Sequence, residues 1–341
     1  MVENSKPVVA LLAAPETSPS VLYGLYDVLY SVGAVYPDMT CGEPGPEALD
    51  VRIVAAEAAP FHCLGSVAVE PHAAIGTIER ADVVVVCDMY TPIHQPISGK
   101  YPREIAWLRR MHAGGALIAS VCSGSLVLAE AGLLDGHEAA AHWAYGDLFR
   151  RCYPAVTMRE DSVLCLSAES AGIVTAGGVT AWHDLALYLI ARLCGRQQAV
   201  LTSKVFLISC HEDGQLPFKA MNRRIDTSDA VIGDCQSWIA ENYRAGNPVR
   251  RMAERSGLNP RTFARRFRAA TGYQPIDYVQ ALRIEEAKQM LETEELGLDE
   301  IAGEVGYGDP ASFRRLFKRR AGLTPAAYRR KFRGIAMIGA A

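Results

Sequence analysis

No run of apolar residues in this chain approaches the roughly 20 needed to cross a bilayer as a helix, so no membrane-spanning helix is expected. The opening MVENSKPVVALLAA lacks the charged start, apolar centre and small-residue exit of a signal peptide, and the expected location is the cytoplasm. Nine cysteines are scattered without one Cys-x-x-Cys pair, which argues against a disulfide framework and a zinc site alike. His62, His72, His94 and His211 lack ligand-like spacing, so neither a metal nor a cofactor is expected. Gly177-Gly178 stands without the further glycines of a nucleotide-binding loop.

What is present divides in two. A chain of 341 residues exceeds the usual size of a single core. Its charge divides as well: residues 1–228 carry 16 Lys and Arg against 24 Asp and Glu, whereas residues 229–341 carry 19 against 14. An acidic body with a basic end region points to a polyanion met only by the latter.

The first two hundred residues alternate apolar, strand-like runs (KPVVALLAA, ADVVVVCDMY, ALIASVC, SAGIVTAGG) with helical periods (PSVLYGLYDVLYSVG, PREIAWLRRMHAGG, VTAWHDLALYLIARLCG). Strands apolar on both faces, separated by helices, imply a doubly wound (flavodoxin-like) α/β domain with a parallel sheet, expected over 5–212. Periodicity lapses over 213–228, which reads as a linker.

An all-α domain is expected over 229–334, and it repeats. Phe263, Phe267, Gly272, Pro275 and Tyr278 recur fifty positions later as Phe313, Phe317, Gly322, Pro325 and Tyr328. Each copy reads as a helix, a turn at glycine and a second helix, which gives two helix-turn-helix motifs at about 248–271 and 298–321. Such a motif lays its second helix in the major groove of DNA, where Arg, Lys, Ser and Thr match base edges and phosphates. The helix from Pro260 offers Arg261, Thr262, Arg265, Arg266 and Arg268, and the helix after Asp309 offers Ser312, Arg314, Arg315, Lys318, Arg319 and Arg320. One Arg-rich helix would be a solvated face. Two at a fixed period in the basic part of the chain form a DNA-binding footprint.

In SVCSGSLVLAEAG an apolar strand runs into a helix at Cys122, the geometry of a nucleophile elbow. Helix amides aimed at the thiol would lower its pKa, and strand carboxyl ends in open α/β sheets are ligand sites. The helix start after Ser123 would favour an anionic group on that ligand. The readings left open for Cys122 are a buried packing residue, a nucleophile and the wall of an effector pocket.

IAGEVGYGDPASFRRLFKRRAGLTPAAYRR resembles the signature of the AraC/XylS family of transcription regulators over about the last hundred residues. By that resemblance Arg261, Arg265, Ala311, Ser312 and Arg315 fall at base-facing places. Arg250, Arg251, Arg266, Arg314 and Lys318 are assigned to phosphates, and Thr262 and Arg319 complete the DNA-binding set without either assignment. The elbow, with AAAHW and TAGGVTAWHDLALYLI, resembles the PfpI/ThiJ superfamily, related to class I glutamine amidotransferases. Together the chain is similar to AraC-type regulators with a PfpI-like amino-terminal domain. In the enzymatic members the cysteine works with a histidine and a glutamate. Here Ser123 follows the cysteine where those members often carry His, and Asp88-Met89 replaces a Gly-Gly pair. The expected glutamate falls at Val21, and His142 is left as the partner for Cys122.

The expectation is therefore a cytoplasmic, dimeric, ligand-sensing transcription regulator, read as an activator, and not an enzyme. Its effector pocket would be walled by Glu16, Asp88, Tyr90, Cys122, Ser123, His142 and Trp143. The resemblance implies amines or amino-acid-like effectors, promoter DNA as partner, and RNA polymerase if the protein activates. The alternative is a PfpI-type cysteine enzyme, of glyoxalase, deglycase or amidase kind, with an attached DNA-binding module.

Overall fold

The computed structural model describes residues 5–166, 168–221 and 229–337. It divides into two compact units, Met1–Gln215 and Leu216–Ala341. Of the segment read as a linker, 222–228 lie outside the described residues.

In the first unit the strands are β1 (Val8–Leu12), β2 (Asp50–Ala55), β3 (Phe61–His62), β4 (Ala68–Val69), β5 (Ala73–Ala74), β6 (Val83–Val86), β7 (Leu117–Val121), β8 (Glu138–Ala139), β9 (Thr157–Met158), β10 (Leu164–Cys165) and β11 (Ile173–Ala176). The helices are α1 (Pro19–Tyr30), α2 (Val35–Cys41), α3 (Pro102–Ala113), α4 (Gly124–Glu130), α5 (Gly146–Cys152), α6 (Trp182–Cys194) and α7 (Arg196–Phe206). A seven-stranded sheet runs β10-β11-β7-β6-β1-β2-β5. It is parallel except where β10 pairs antiparallel with β11.

The valine run of β6 shows why this sheet is covered twice. Val84 and Val86 pack with Trp107, Leu108 and Leu126 of α3 and α4, while Val83 and Val85 pack with Leu22, Leu25, Leu185 and Leu189 of α1 and α6. Alternate side chains point to opposite faces, so a strand that is apolar at every position needs helices on both. From β1 the chain moves outward through β2 and β5, then returns to β6 on the other side of β1. That reversal is a topological switch point, the place where open α/β sheets bind ligands beyond the carboxyl ends of their strands.

The second unit holds α8 (Ala230–Asn242), α9 (Pro248–Ser256), α10 (Pro260–Thr271), α11 (Pro275–Thr293), α12 (Leu298–Glu304), α13 (Pro310–Ala321) and α14 (Pro325–Met337). The α9–α10 and α12–α13 pairs are the two helix-turn-helix motifs, with α11 between them. Their cores are copies of one another. Phe267 meets Tyr278 edge-on at 5.2 Å and 82°, and Phe317 meets Tyr328 at 5.4 Å and 83°. Both second helices start alike: Asn259 accepts the Thr262 amide, Asp309 accepts those of Ala311 and Ser312, and proline follows each cap. Among the described residues no helix is long and apolar enough to cross a membrane.

Candidate functional site

β7 ends at Val121 and α4 begins at Gly124, so Cys122 and Ser123 make the elbow. Cys122 has φ +55°, a left-handed conformation that a side-chain-bearing residue keeps only when its surroundings impose it. Two features do so. The Cys122 amide donates to the Ala176 carbonyl on β11 at 2.9 Å. Gly124 lets α4 approach β6 so closely that a Cβ there would stand 2.5 Å from the Val86 carbonyl oxygen.

The thiol in that elbow is held above its ordinary pKa. Burial pushes its pKa up, the Asp88 carboxylate beside it pushes further by charge and hydrogen bond, and the Ser123 amide opposes them without prevailing. This corrects the lowered pKa expected from a strand-to-helix turn alone. Cys122 is 4% exposed, and at that burial desolvation outweighs what the turn's amides supply.

Asp88, also buried, explains a second departure. Its carboxylate accepts from the Ser123 hydroxyl at 2.5 Å and the Ser123 amide at 3.3 Å, and the Met89 amide donates to Ser123 Oγ at 2.9 Å. The amide expected to meet an anionic ligand at the start of α4 is therefore already bound to the protein's own carboxylate. With seven residues, α4 is also too short to develop much of a dipole.

The remaining candidates lie around this pair. His142 Nδ1 accepts the Ala144 amide at 3.2 Å, and burial lowers the ring's pKa against the pull of Asp88. That ring nitrogen is taken up by its own turn. The Trp143 ring stands 5.0 Å from His142. Burial works upward on the Glu16 carboxyl, but Lys100 at 3.0 Å and the Tyr101 hydroxyl at 3.1 Å prevail and hold it below the usual range. Glu16 is thus tied to the residues that lead into α3, and its carbonyl accepts the amide of the exposed Tyr90 at 2.8 Å. Asp88, Cys122 and Ser123 form one contact group, His142 and Trp143 stand beside it, and Glu16 and Tyr90 lie at its edge.

Sequence reasoning missed three residues here. Buried Thr17 bridges to Met89 and accepts the Ala14 amide at 2.9 Å. The Tyr145 hydroxyl donates to the Thr91 carbonyl at 2.7 Å, and burial followed by Cys122 and Asp88 raises its pKa. Gln215, read as linker, is buried against residues 141–143. Only Gly177-Gly178 hinted at this last contact.

In the second unit Arg250, Arg251, Arg261, Arg265, Ala311, Arg314, Arg315, Lys318 and Arg319 are exposed, and Thr262 and Ser312 are half-buried at the helix starts. Arg315 donates to Ser312 Oγ at 2.9 Å, so two base-facing candidates already share a bond. Arg314 pairs with Asp299 on α12, and Arg250 with Glu254 at 3.4 Å. Arg266 is different. Its guanidinium grips both carboxylate oxygens of Asp229 at 3.0 and 2.7 Å, and the repeat aligns it with buried Leu316. Two of its five donors are thus committed to a carboxylate of its own domain.

A match to the DJ-1/PfpI family covers residues 20–192, half of the chain, and a match to a helix-turn-helix domain covers 252–331. The chain belongs to the DJ-1/PfpI family. Among its relatives is the HTH-type transcriptional regulator CdhR of Pseudomonas aeruginosa, 27% identical over 307 residues and 88% of each chain. The HTH-type transcriptional regulator GlxA of Rhizobium meliloti is 29% identical over 66% of this chain and 68% of its own. These relatives share the two-part arrangement of a DJ-1/PfpI domain followed by a helix-turn-helix domain. A crystal structure of a ThiJ/PfpI family protein from Pseudomonas syringae, 22% identical, has the same fold with a TM-score of 0.50, over 74% of this chain and 92% of that one.

Proposed function

We propose that this member of the DJ-1/PfpI family is a cytoplasmic, ligand-responsive transcription regulator that binds promoter DNA as a homodimer. Its α/β domain, 5–212, senses a small metabolite, and its domain over 229–334 reads DNA. Arg261, Arg265, Ala311, Ser312 and Arg315 face bases, Arg250, Arg251, Arg314 and Lys318 hold phosphates, and Thr262 and Arg319 complete the DNA-binding surface. Arg266 leaves that set for a structural one. RNA polymerase joins the partners if the protein activates.

The observation that carries this reading is the duplicated helix-turn-helix, two congruent cores each presenting exposed arginines. For the other half of the molecule, the buried, proton-retaining Cys122 beside Asp88 speaks for a binding wall and against a nucleophile. A developing oxyanion next to Asp88 would be repelled, not stabilised. Among the described residues, the acidic side chain bonded to the elbow is Asp88, which favours an effector with a cationic group, an amine or amino-acid-like compound.

The test begins with the full-length chain and a random pool of duplexes, from which it should select a sequence. Cys122→Ser should select the same one. A melting-temperature screen of the full chain against amines, amino acids and small acids should find its stabilising ligand among the cations. Iodoacetamide should label exposed Cys41 and Cys210 long before Cys122 at pH 8. Methylglyoxal turnover that disappears in Cys122→Ala would overturn the non-enzymatic reading.

A further inference from the structure

Gln215 is the last residue of the first unit and is 4% exposed. Its side-chain nitrogen donates to the Ala141 carbonyl at 3.0 Å and the Ser162 carbonyl at 2.7 Å, and its oxygen accepts the Trp143 amide at 3.2 Å. The seat exists because residue 177 is glycine: a Cβ there would stand 2.1 Å from the Gln215 nitrogen. One buried amide thus holds the loop that carries His142 and Trp143.

The next residue, Leu216, belongs to the second unit. Leu216–Phe218 form one 3-10 turn, with Pro217 buried and Phe218 edge-on to Phe332 at 5.4 Å. Lys288, its side chain 8% exposed, donates to the Lys219 carbonyl at 2.5 Å and pairs with Glu285 at 3.1 Å. A cavity of about 310 Å³ lies under this segment, lined by Leu216, Lys219, Met221, Ile284, Arg319 and Arg320. The segment therefore reaches the end of α13, the second recognition helix. It covers a groove that it does not fill.

We propose that Gln215 is the coupling residue of this regulator, tying the state of loop 141–143 to the seating of residues 216–221 against α13. The proposal rests on the regulator reading of both sites. A displaced loop withdraws two of the three partners of the buried amide, so loop and glutamine move together. No spacer residue separates Gln215 from the segment on the DNA-binding unit. An effector that moves the loop therefore shifts the balance between seated and released segment, and with it the hold on α13. Coupling of this kind is reciprocal: DNA on α13 must alter the loop.

Reciprocity allows a test without the effector. Hydrogen exchange is followed in the full-length chain with and without the duplex it selects from a random pool. Exchange over residues 141–145 should change by about fivefold or more on adding that duplex. The change should vanish in Gln215→Ala, and equally in Gly177→Ala, which closes the seat without touching the glutamine. Exchange in α10 without DNA should stay as in the wild type, which a general loss of stability would not allow. An unchanged loop in the wild type, or the same change in both variants, would overturn the proposal. A chain that selects no duplex fails earlier and differently, because the DNA-binding reading falls with it.

Discussion

The two recognition helices have the same length, caps and aromatic anchors, yet α10 and α13 are attached to their domain by different physics. Where α13 buries Leu316 in the core, α10 has Arg266, clamped to Asp229 at the mouth of α8. At the base-facing places the pattern reverses in richness: Arg261 and Arg265 on α10 stand against Ala311 and Arg315 on α13. Both helices bury two phenylalanines, but α10 adds an arginine clamp where α13 adds a leucine, and α13 has an alanine at the base-facing place where α10 has Arg261. A duplicated motif can thus keep its frame while one attachment point changes from an ion pair to apolar packing.

Removing the apolar anchor should have the largest effect. Leu316→Ala is expected to cost about 2–5 kcal/mol of stability in a denaturant titration, because its neighbours can close the cavity only in part. Arg266→Ala should cost distinctly less, since its pair is partly solvated and screened. Equal losses would break the contrast between the two attachments. Next comes base reading. Arg265→Ala should forfeit about 1–3 kcal/mol of discrimination at one position of the selected duplex. Arg250→Ala should weaken all sequences alike and reduce the salt slope by about one. Competition titrations against single-base variants separate the two.

The smallest effect concerns pH. Arg266 first, against the opposing pull of burial, holds the Asp229 carboxyl below its usual value in the folded state. A depressed folded pKa contributes stability that is complete above the unfolded carboxylate value of about 3.9 and is lost as pH falls through the folded value. Melting temperature should therefore fall more steeply between pH 5 and pH 3 in the wild type than in Arg266→Ala. Parallel curves would show that the clamp contributes nothing.

What could be read without coordinates was what is local or periodic. The run VVVV announced a strand covered on both faces, and a fifty-residue repeat of Phe, Gly, Pro and Tyr announced two congruent motifs. The elbow at Cys122 was legible for the same reason, as a strand, a turn and a helix in direct succession. Its chemistry was not. The direction of the thiol's pKa depends on Asp88, thirty-four residues away, and on burial, neither of which has a sequence period. Arg266 looked like its neighbours until Asp229, thirty-seven residues upstream, turned out to hold it. Gln215 sat in a polar stretch with the composition of a linker, and only its distant partners Ala141, Trp143 and Ser162 place it inside. The edge helix α7 was missed because its apolar residues are few and interrupted by Arg196, Gln197, Gln198 and Lys204.

The direct junction of Gln215 and Leu216 also sets a rule for building chimeras. A splice placed between the units would part the glutamine from the segment it steers, and a graft of another sensing domain there would bring DNA binding without response. Cutting after Met221 keeps both in the donor half but leaves their groove on α11 and α13 to be matched by the recipient. Portability of the sensor therefore depends on the surface of the domain that receives it.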